Sequence, residues 1–212
     1  MDKHTMRLAF KARRQAMSEE ECKMRANALC KRIVESEAYQ KAQSVMAYLA
    51  MPKEANLDAL VTQALADGKT VYVPVCVSKT EMVAARLRRL DDVKTGVLHI
   101  RIPNEPYECA APTDLDLILV PGVAFDTKGG RMGMGAGYYD RFLAQVARER
   151  LWGVAWDIQV VYAYRQLIQP IYKRPQSSSQ NGQYHERSDE CGLYPVPFLE
   201  YNPSGEKTDM PR

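Results

Sequence analysis

Apolar positions recur along this chain with two periods, and the switching between them predicts the elements. Cys22, Ala26, Leu29, Cys30, Ile33 and Val34 form a 3.6-residue stripe, which predicts an amphipathic helix running to about Glu37. Ser18 and Glu21 stand before it in the Ser-x-x-Glu pattern that satisfies orphan N–H groups at a helix start. Residues 3–17 are also helix-compatible. Residues 45–49 are a short apolar run read as a buried strand. Asn56 is placed to cap a helix whose core stripe is Leu57, Leu60, Val61, Ala64 and Leu65, and Gly68 to end it. Residues 71–75 and 82–87 predict two more strands. Residues 96–113, with Pro103, Pro106 and Pro112, predict a loop. Residues 115–120 carry the clearest strand signal, stopped by Pro121-Gly122. A glycine-rich loop follows over 128–137. The stripe Tyr138, Tyr139, Phe142, Leu143, Val146 then predicts a helix to about Arg148, and residues 151–156 a last strand. Apolar strands alternating with amphipathic helices predict an α/β fold, a single three-layer domain over 1–161 with a largely parallel sheet flanked by helices.

The ending reads differently. Between Lys173 and Glu190 the only clearly apolar side chain is Tyr184, and five of the chain's twelve prolines lie in residues 173–212. Such a segment cannot bury enough surface to offset its ordering entropy, so residues 162–212 are expected to form a disordered or loosely attached tail. Residues 193–199 are its one stretch with something to dock.

Composition narrows the class. The 212 residues are 46% hydrophobic and 26% charged, an ordinary globular profile that excludes disorder throughout, collagen and coiled coil. No apolar run approaches the ~20 residues of a membrane helix, and no apolar signal core opens the chain, so a cytoplasmic protein is expected. Residues 1–32 hold nine Lys/Arg against four Asp/Glu, which suits a phosphate-bearing ligand. No aromatic platforms accompany them, so nucleic acid is not expected as a partner. Five cysteines without close spacing read as small hydrophobes in a reducing compartment. Three histidines argue against a His-rich metal site or a Ser-His-Asp triad.

The chemistry concentrates in residues 121–143. Gly133, Gly135 and Gly137 alternate with other residues between a strand and a helix start, and glycine lets an anion approach backbone N–H groups. Arg131 adds a fixed cation with a fork of donors. The loop reads either as a phosphate cradle or as a turn that changes chain direction. It is neither a Walker A motif nor a first-strand dinucleotide fingerprint. Asp140 is either a charge placed for the helix dipole or a ligand to Mg²⁺ beside nucleotide phosphates. Lys3, Arg7 and Arg14 fall on one helix face, beside a second stripe of Met6, Phe10 and Met17; solvated surface charges are the bland reading.

The loop resembles the signature of the 5-formyltetrahydrofolate cyclo-ligase, or methenyltetrahydrofolate synthetase, family. That signature reads Pro-Gly-x-x-Phe-Asp-x-x-Gly-x-Arg-x-Gly-x-Gly-x-Gly-Tyr-Tyr-Asp, and the chain matches it from Pro121 to Asp140. Lys3 and Arg7 match the family's N-terminal Lys-x-x-x-Arg helix, and Pro52 and Glu54 its turn after the first strand. The resemblance covers about residues 3–161.

It implies an enzyme, expected as a monomer, that takes reduced folate and ATP as small-molecule partners and Mg²⁺ as cofactor. It would convert 5-formyltetrahydrofolate to 5,10-methenyltetrahydrofolate and release ADP and phosphate. By the same resemblance, Lys3, Arg7, Arg131, Met132, Gly133, Met134, Gly135, Ala136, Gly137, Tyr138 and Tyr139 hold ATP, and Asp140 holds Mg²⁺. Leu49, Glu54 and the segment from Met134 through Gly135, Ala136 and Gly137 to Tyr138 contact the folate, with Met51 in the same pocket. Family members continue into an Asp-centred segment that supplies a second Mg²⁺ ligand. Residues 162–212 have no such pattern, so the alternative is an inactive remnant that binds nucleotide or folate without turnover.

Overall fold

The structure, a computed structural model, describes residues 2–96, 99–127, 129–161, 169–170 and 198–199. The expected tail, 162–212, lies outside the described residues apart from two two-residue strands.

Helix α1 (Lys3–Gln15) starts where Asp2 accepts hydrogen bonds from the N–H groups of His4 and Thr5, at 2.8 and 3.0 Å. It ends two residues earlier than predicted because Ser18 is extended to cap the next helix. Helix α2 (Glu19–Val34) begins as expected, with Ser18 Oγ accepting from Glu21 N at 3.0 Å. Three glutamates in its first turn and Lys31 and Arg32 in its last complement the helix dipole. The run to Glu37 divides, because Ser36 turns extended and caps a separate short helix, α3 (Glu37–Lys41), through Tyr39 N. Helix α4 (Asp58–Ala66) is preceded by Asn56, whose side chain accepts from Asp58 N at 2.7 Å, and is followed by Gly68 at φ +76°.

The main sheet contains β1 (Ser44–Met46), β2 (Thr70–Cys76), β3 (Met82–Leu87), β6 (Cys109–Ala110), β7 (Leu117–Pro121), β10 (Leu151–Val154) and β13 (Phe198–Leu199). Its order is β13-β10-β7-β1-β2-β3-β6, with parallel pairing from β13 to β2 and antiparallel pairing beyond. The parallel strands are short apolar runs because both sheet faces are covered. On one face Val45, Val71 and Leu117 join Leu29, Ile33 and Leu60 from α2 and α4. On the other, Met46, Ile118 and Leu151 join Leu143 and Val146. A third cluster docks Met6 and Phe10 of α1 on Val123, Ala124 and Met132.

Three sequence expectations are corrected. The region expected as a loop over 96–113 contains β5 (Arg101–Pro103), which pairs with β4 (Val93–Thr95), as well as β6. The expected glycine-rich loop contains strand β9 (Gly130–Met132), which forms a hairpin with β8 (Ala124–Asp126). Asp126 closes that turn, with Oδ1 accepting from Gly130 N at 2.7 Å. The hairpin sits inside a second sheet, β11-β8-β9-β12, with β11 (Val160–Val161) and β12 (Gln169–Pro170) outside it. Finally, the helix expected over 138–148 is only α5 (Tyr138–Phe142). Its continuation closes with i→i−3 bonds from Ala144 and Val146, yet Leu143 and Val146 remain fully buried, as the stripe required. Among the described residues no helix is long and apolar enough to cross a membrane.

Candidate functional site

β1 lies between β2 and β7, and the chain leaves β1 toward one side of the sheet and β7 toward the other. This is a topological switch point, where the carboxyl ends of parallel strands leave a crevice. A cleft of about 620 Å³ opens there. The exit of β1 supplies Tyr48, Leu49, Met51 and Glu54; the end of β2 supplies Pro74 and Cys76; the exit of β7 supplies Pro121, Gly122 and Val123. α1 closes one side with Lys3, Arg7 and Lys11, and the loop 131–140 closes another. Every residue that the sequence marked for ATP, folate or metal lines this cleft.

Arg131 is the organising cation. It is 7% exposed. Its Nη2 donates to Asp140 Oδ1 at 2.6 Å and its Nη1 to the Pro121 carbonyl at 3.2 Å. The guanidinium lies 5.5 Å from the Tyr139 ring centroid. Its Nε is buried and, among the described residues, has no partner; the same holds for the Tyr139 hydroxyl. Arg7 Nε donates to the Gly133 carbonyl at 2.9 Å, which ties α1 to the loop. Arg141 holds the far end, donating to the carbonyls of Ala136 and Thr80 at 2.9 and 2.7 Å. Tyr138 Oη donates to the Ser78 carbonyl at 2.9 Å. Gly135 and Gly137, at φ +116° and +71°, give the loop a path that side-chain-bearing residues rarely follow. The helix that follows, α5, is only five residues long, so the positive charge at this end of the cleft comes from Arg7 and Arg131.

Gly122 shows how tightly Arg131 is seated. A Cβ there would lie 2.6 Å from the ring of the fully buried Phe125 and 3.1 Å from Arg131 Cγ. Gly122→Ala is therefore expected to destabilise the fold by about 1–3 kcal/mol. The shift in urea midpoint checks it; a change below about 0.5 kcal/mol would contradict the packing described.

Glu54 is the acid of the opposite wall. It lies in a turn where Glu54 N bonds the Met51 carbonyl and Met51 N bonds Glu54 Oε2, at 3.0 and 3.1 Å. The turn is anchored where Lys53 Nζ donates to the Met17 carbonyl at 2.7 Å and Trp156 Nε1 to the Lys53 carbonyl at 3.2 Å. Burial pushes the Glu54 carboxyl up, and Arg14 opposes that shift. Burial likewise holds the Tyr48 and Tyr139 hydroxyls protonated far above the usual tyrosine range.

Arg14 does not join the cleft wall with Lys3 and Arg7. It is buried and pairs with Glu54, so the reading of solvated surface charges is corrected for this residue. Sequence reasoning missed Lys11, Tyr48 and Cys76. Lys11 was within reach, since it completes an i, i+4, i+8 series with Lys3 and Arg7. The other two are placed by the sheet: Tyr48 follows the end of β1 and Cys76 ends β2.

Among the described residues no three His, Cys, Asp or Glu side chains gather to hold a metal ion. Asp140 is a single carboxylate beside a cationic loop, and Arg131 occupies its Oδ1. That donor set does not make a protein cage. It fits Mg²⁺ carried mainly on phosphate oxygens, the usual habit of this ion.

The profile of the 5-formyltetrahydrofolate cyclo-ligase family matches residues 1–169. The chain is 33% identical over 121 residues to a probable 5-formyltetrahydrofolate cyclo-ligase of Schizosaccharomyces pombe, covering 55% of this chain but only 59% of the relative's length. It is 28% identical over 156 residues to the 5-formyltetrahydrofolate cyclo-ligase of Mus musculus, covering 70% of this chain and 76% of that one. The solved structure of Aquifex aeolicus 5,10-methenyltetrahydrofolate synthetase superposes with a TM-score of 0.70 at 27% identity, over 88% of this chain and all of the other. With its signature loop folded into the wall of a switch-point cleft, the chain belongs to the 5-formyltetrahydrofolate cyclo-ligase family.

Proposed function

We propose that this chain converts 5-formyltetrahydrofolate to 5,10-methenyltetrahydrofolate at the expense of ATP, releasing ADP and phosphate. The observation that carries the reading is one cleft of about 620 Å³ shared by a largely enclosed carboxylate, Glu54, and by a cationic glycine-rich loop around Arg131. A reduced folate presents a donor-rich ring edge, and a nucleotide presents phosphates; the two ends suit the two ligands.

In this reading Lys3, Arg7 and residues 131–139 bind ATP. Leu49, Glu54 and residues 134–138 contact the folate. The Glu54 carboxylate accepts from paired N–H donors on the pterin edge. The γ-phosphoryl group passes to the formyl oxygen, and ADP leaves. The N10 lone pair then attacks the activated carbon, the carbon–oxygen bond breaks toward phosphate, and N10 loses its proton. A formamide oxygen is a poor leaving group and a phosphate is a good one. Phosphoryl transfer asks the protein mainly for positioning and charge. The buried Arg131 Nε and Tyr139 hydroxyl are donors available to an incoming oxygen. Asp140 would hold Mg²⁺ against the phosphates, and the bound ion would supply neutralisation of their charge.

The test is the absorbance of the methenyl product on mixing protein with 5-formyltetrahydrofolate, ATP and Mg²⁺. Wild-type protein is expected to form it, and Asp140→Ala to form it at least about 10²-fold more slowly. A folded protein that binds ATP and forms no product would favour the binding-only remnant.

A further inference from the structure

The Glu54 carboxylate is held from both sides. Oε2 accepts from Met51 N at 3.1 Å, and Oε1 lies 3.4 Å from Arg14 Nη1. The paired side chains are 9% and 10% exposed. Glu54 borders the cleft, whereas Arg14, in the last turn of α1, pairs with it without lining the cavity. The titratable groups that face Glu54 come from three elements: Arg14 from α1, Tyr48 from the β1 exit and Tyr139 from α5. The two tyrosines are neutral, so among the described residues Arg14 is the one cation set against this acid. A buried carboxylate without a cation takes up a proton. Protonated, it becomes partly a donor and no longer accepts two N–H groups at once.

We propose that Arg14 is a positioning residue for substrate recognition: it holds Glu54 as an anion aimed into the cleft, which selects ligands presenting a paired N–H edge. This rests on the folate reading given above. It extends that reading to a residue that touches no ligand, and it makes recognition dependent on pH through the pair. In the wild-type protein Arg14 opposes the upward push of burial on the Glu54 carboxyl. Without Arg14, burial acts unopposed, the acid holds its proton to higher pH than in the wild type, and rising pH restores the acceptor.

Two measurements test this. In the free protein, ¹³C-labelled glutamate reports the Glu54 titration directly, assigned with Glu54→Gln. Arg14→Met is expected to move that titration upward by about one pH unit or more, whereas Arg14→Lys leaves it near the wild-type position. In binding, Arg14→Met is expected to weaken 5-formyltetrahydrofolate about tenfold at pH 7 and to recover as pH rises toward 9. The KM for ATP stays as it was.

An unmoved Glu54 titration, or a weakening equal at every pH, would overturn the proposal. Wild-type protein that fails to bind 5-formyltetrahydrofolate at any pH would overturn the folate reading instead, while the carboxylate titration still judges the pair. Should Arg14→Met fail to fold, the double variant Arg14→Met/Glu54→Gln removes both charges. Its folate affinity is expected to equal that of Glu54→Gln alone and to be independent of pH; a further loss would mean that Arg14 acts by another route.

Discussion

Replacing Arg131 by leucine is expected to slow formation of the methenyl product by about 10²–10³-fold, the usual effect of removing one preorganised charged donor from a site of phosphoryl transfer. The seat of this guanidinium sets the size of the effect. Two of its nitrogens are spent on the Pro121 carbonyl and Asp140, which fix the plane of the group. The third, Nε, is buried and unpartnered among the described residues. Leaving a buried donor unpaired costs about 1–3 kcal/mol, a cost that an incoming phosphate oxygen removes. Leucine fills much of the same space and offers none of these bonds. It also leaves Asp140 without its cation.

Arg131→Lys separates charge from geometry. The ammonium keeps the charge but cannot reach Pro121, Asp140 and a ligand in one plane. It is expected to retain more activity than leucine while staying at least about tenfold below wild type. Steady-state rates at saturating ATP and folate, with thermal melting to confirm folding, check both variants. A loss below tenfold in a folded Arg131→Leu protein would remove Arg131 from the phosphate site.

How much of this site could be read from sequence depends on the distance over which each residue is determined. Local signals held: Ser18 caps α2, Gly68 ends α4, and residues 117–121 form the central strand β7. The residues assigned to ATP, folate and metal came through the family resemblance, and all of them line the cavity, beside others such as Tyr48 and Cys76. What failed was set by tertiary partners. β9 is three residues, Gly-Arg-Met, and pairs only because Asp126 turns the chain back and α1 covers it. α5 stops early although its apolar stripe continues, because burial of Leu143 and Val146 is met by turns as well as by helix. Arg14 sits on the helix that bears Lys3 and Arg7, yet its function comes from Glu54, forty positions away. No periodicity encodes that pairing.

The same dependence on distant partners sets the largest expected stability effect, at Trp156. Its side chain is fully buried in the core cluster beneath α2 and α4. Its indole donates to the Lys53 carbonyl, and its backbone N–H donates to Gln159 Oε1 at 3.0 Å. Gln159 in turn donates to the Gly122 and Val123 carbonyls at 2.9 and 3.0 Å. Trp156 thus joins the turn that carries Glu54 to the β7 exit, whose Pro121 carbonyl accepts from Arg131, so the two ends of the cleft share one anchor. Trp156→Ala is expected to cost about 3–5 kcal/mol, roughly 6–20 °C in melting temperature for a chain of this size. Trp156→Phe keeps most of the packing and loses the indole hydrogen bond, so it is expected to cost about 1–2 kcal/mol. The phenylalanine variant should also weaken reduced folate more than ATP, because the bond it removes steadies the Glu54 turn and touches nothing in the loop 131–140. Urea denaturation gives the stability differences, and paired KM values give the ligand split. If Trp156→Phe weakened both ligands alike, the indole would be a general core residue and not the tether of the folate wall.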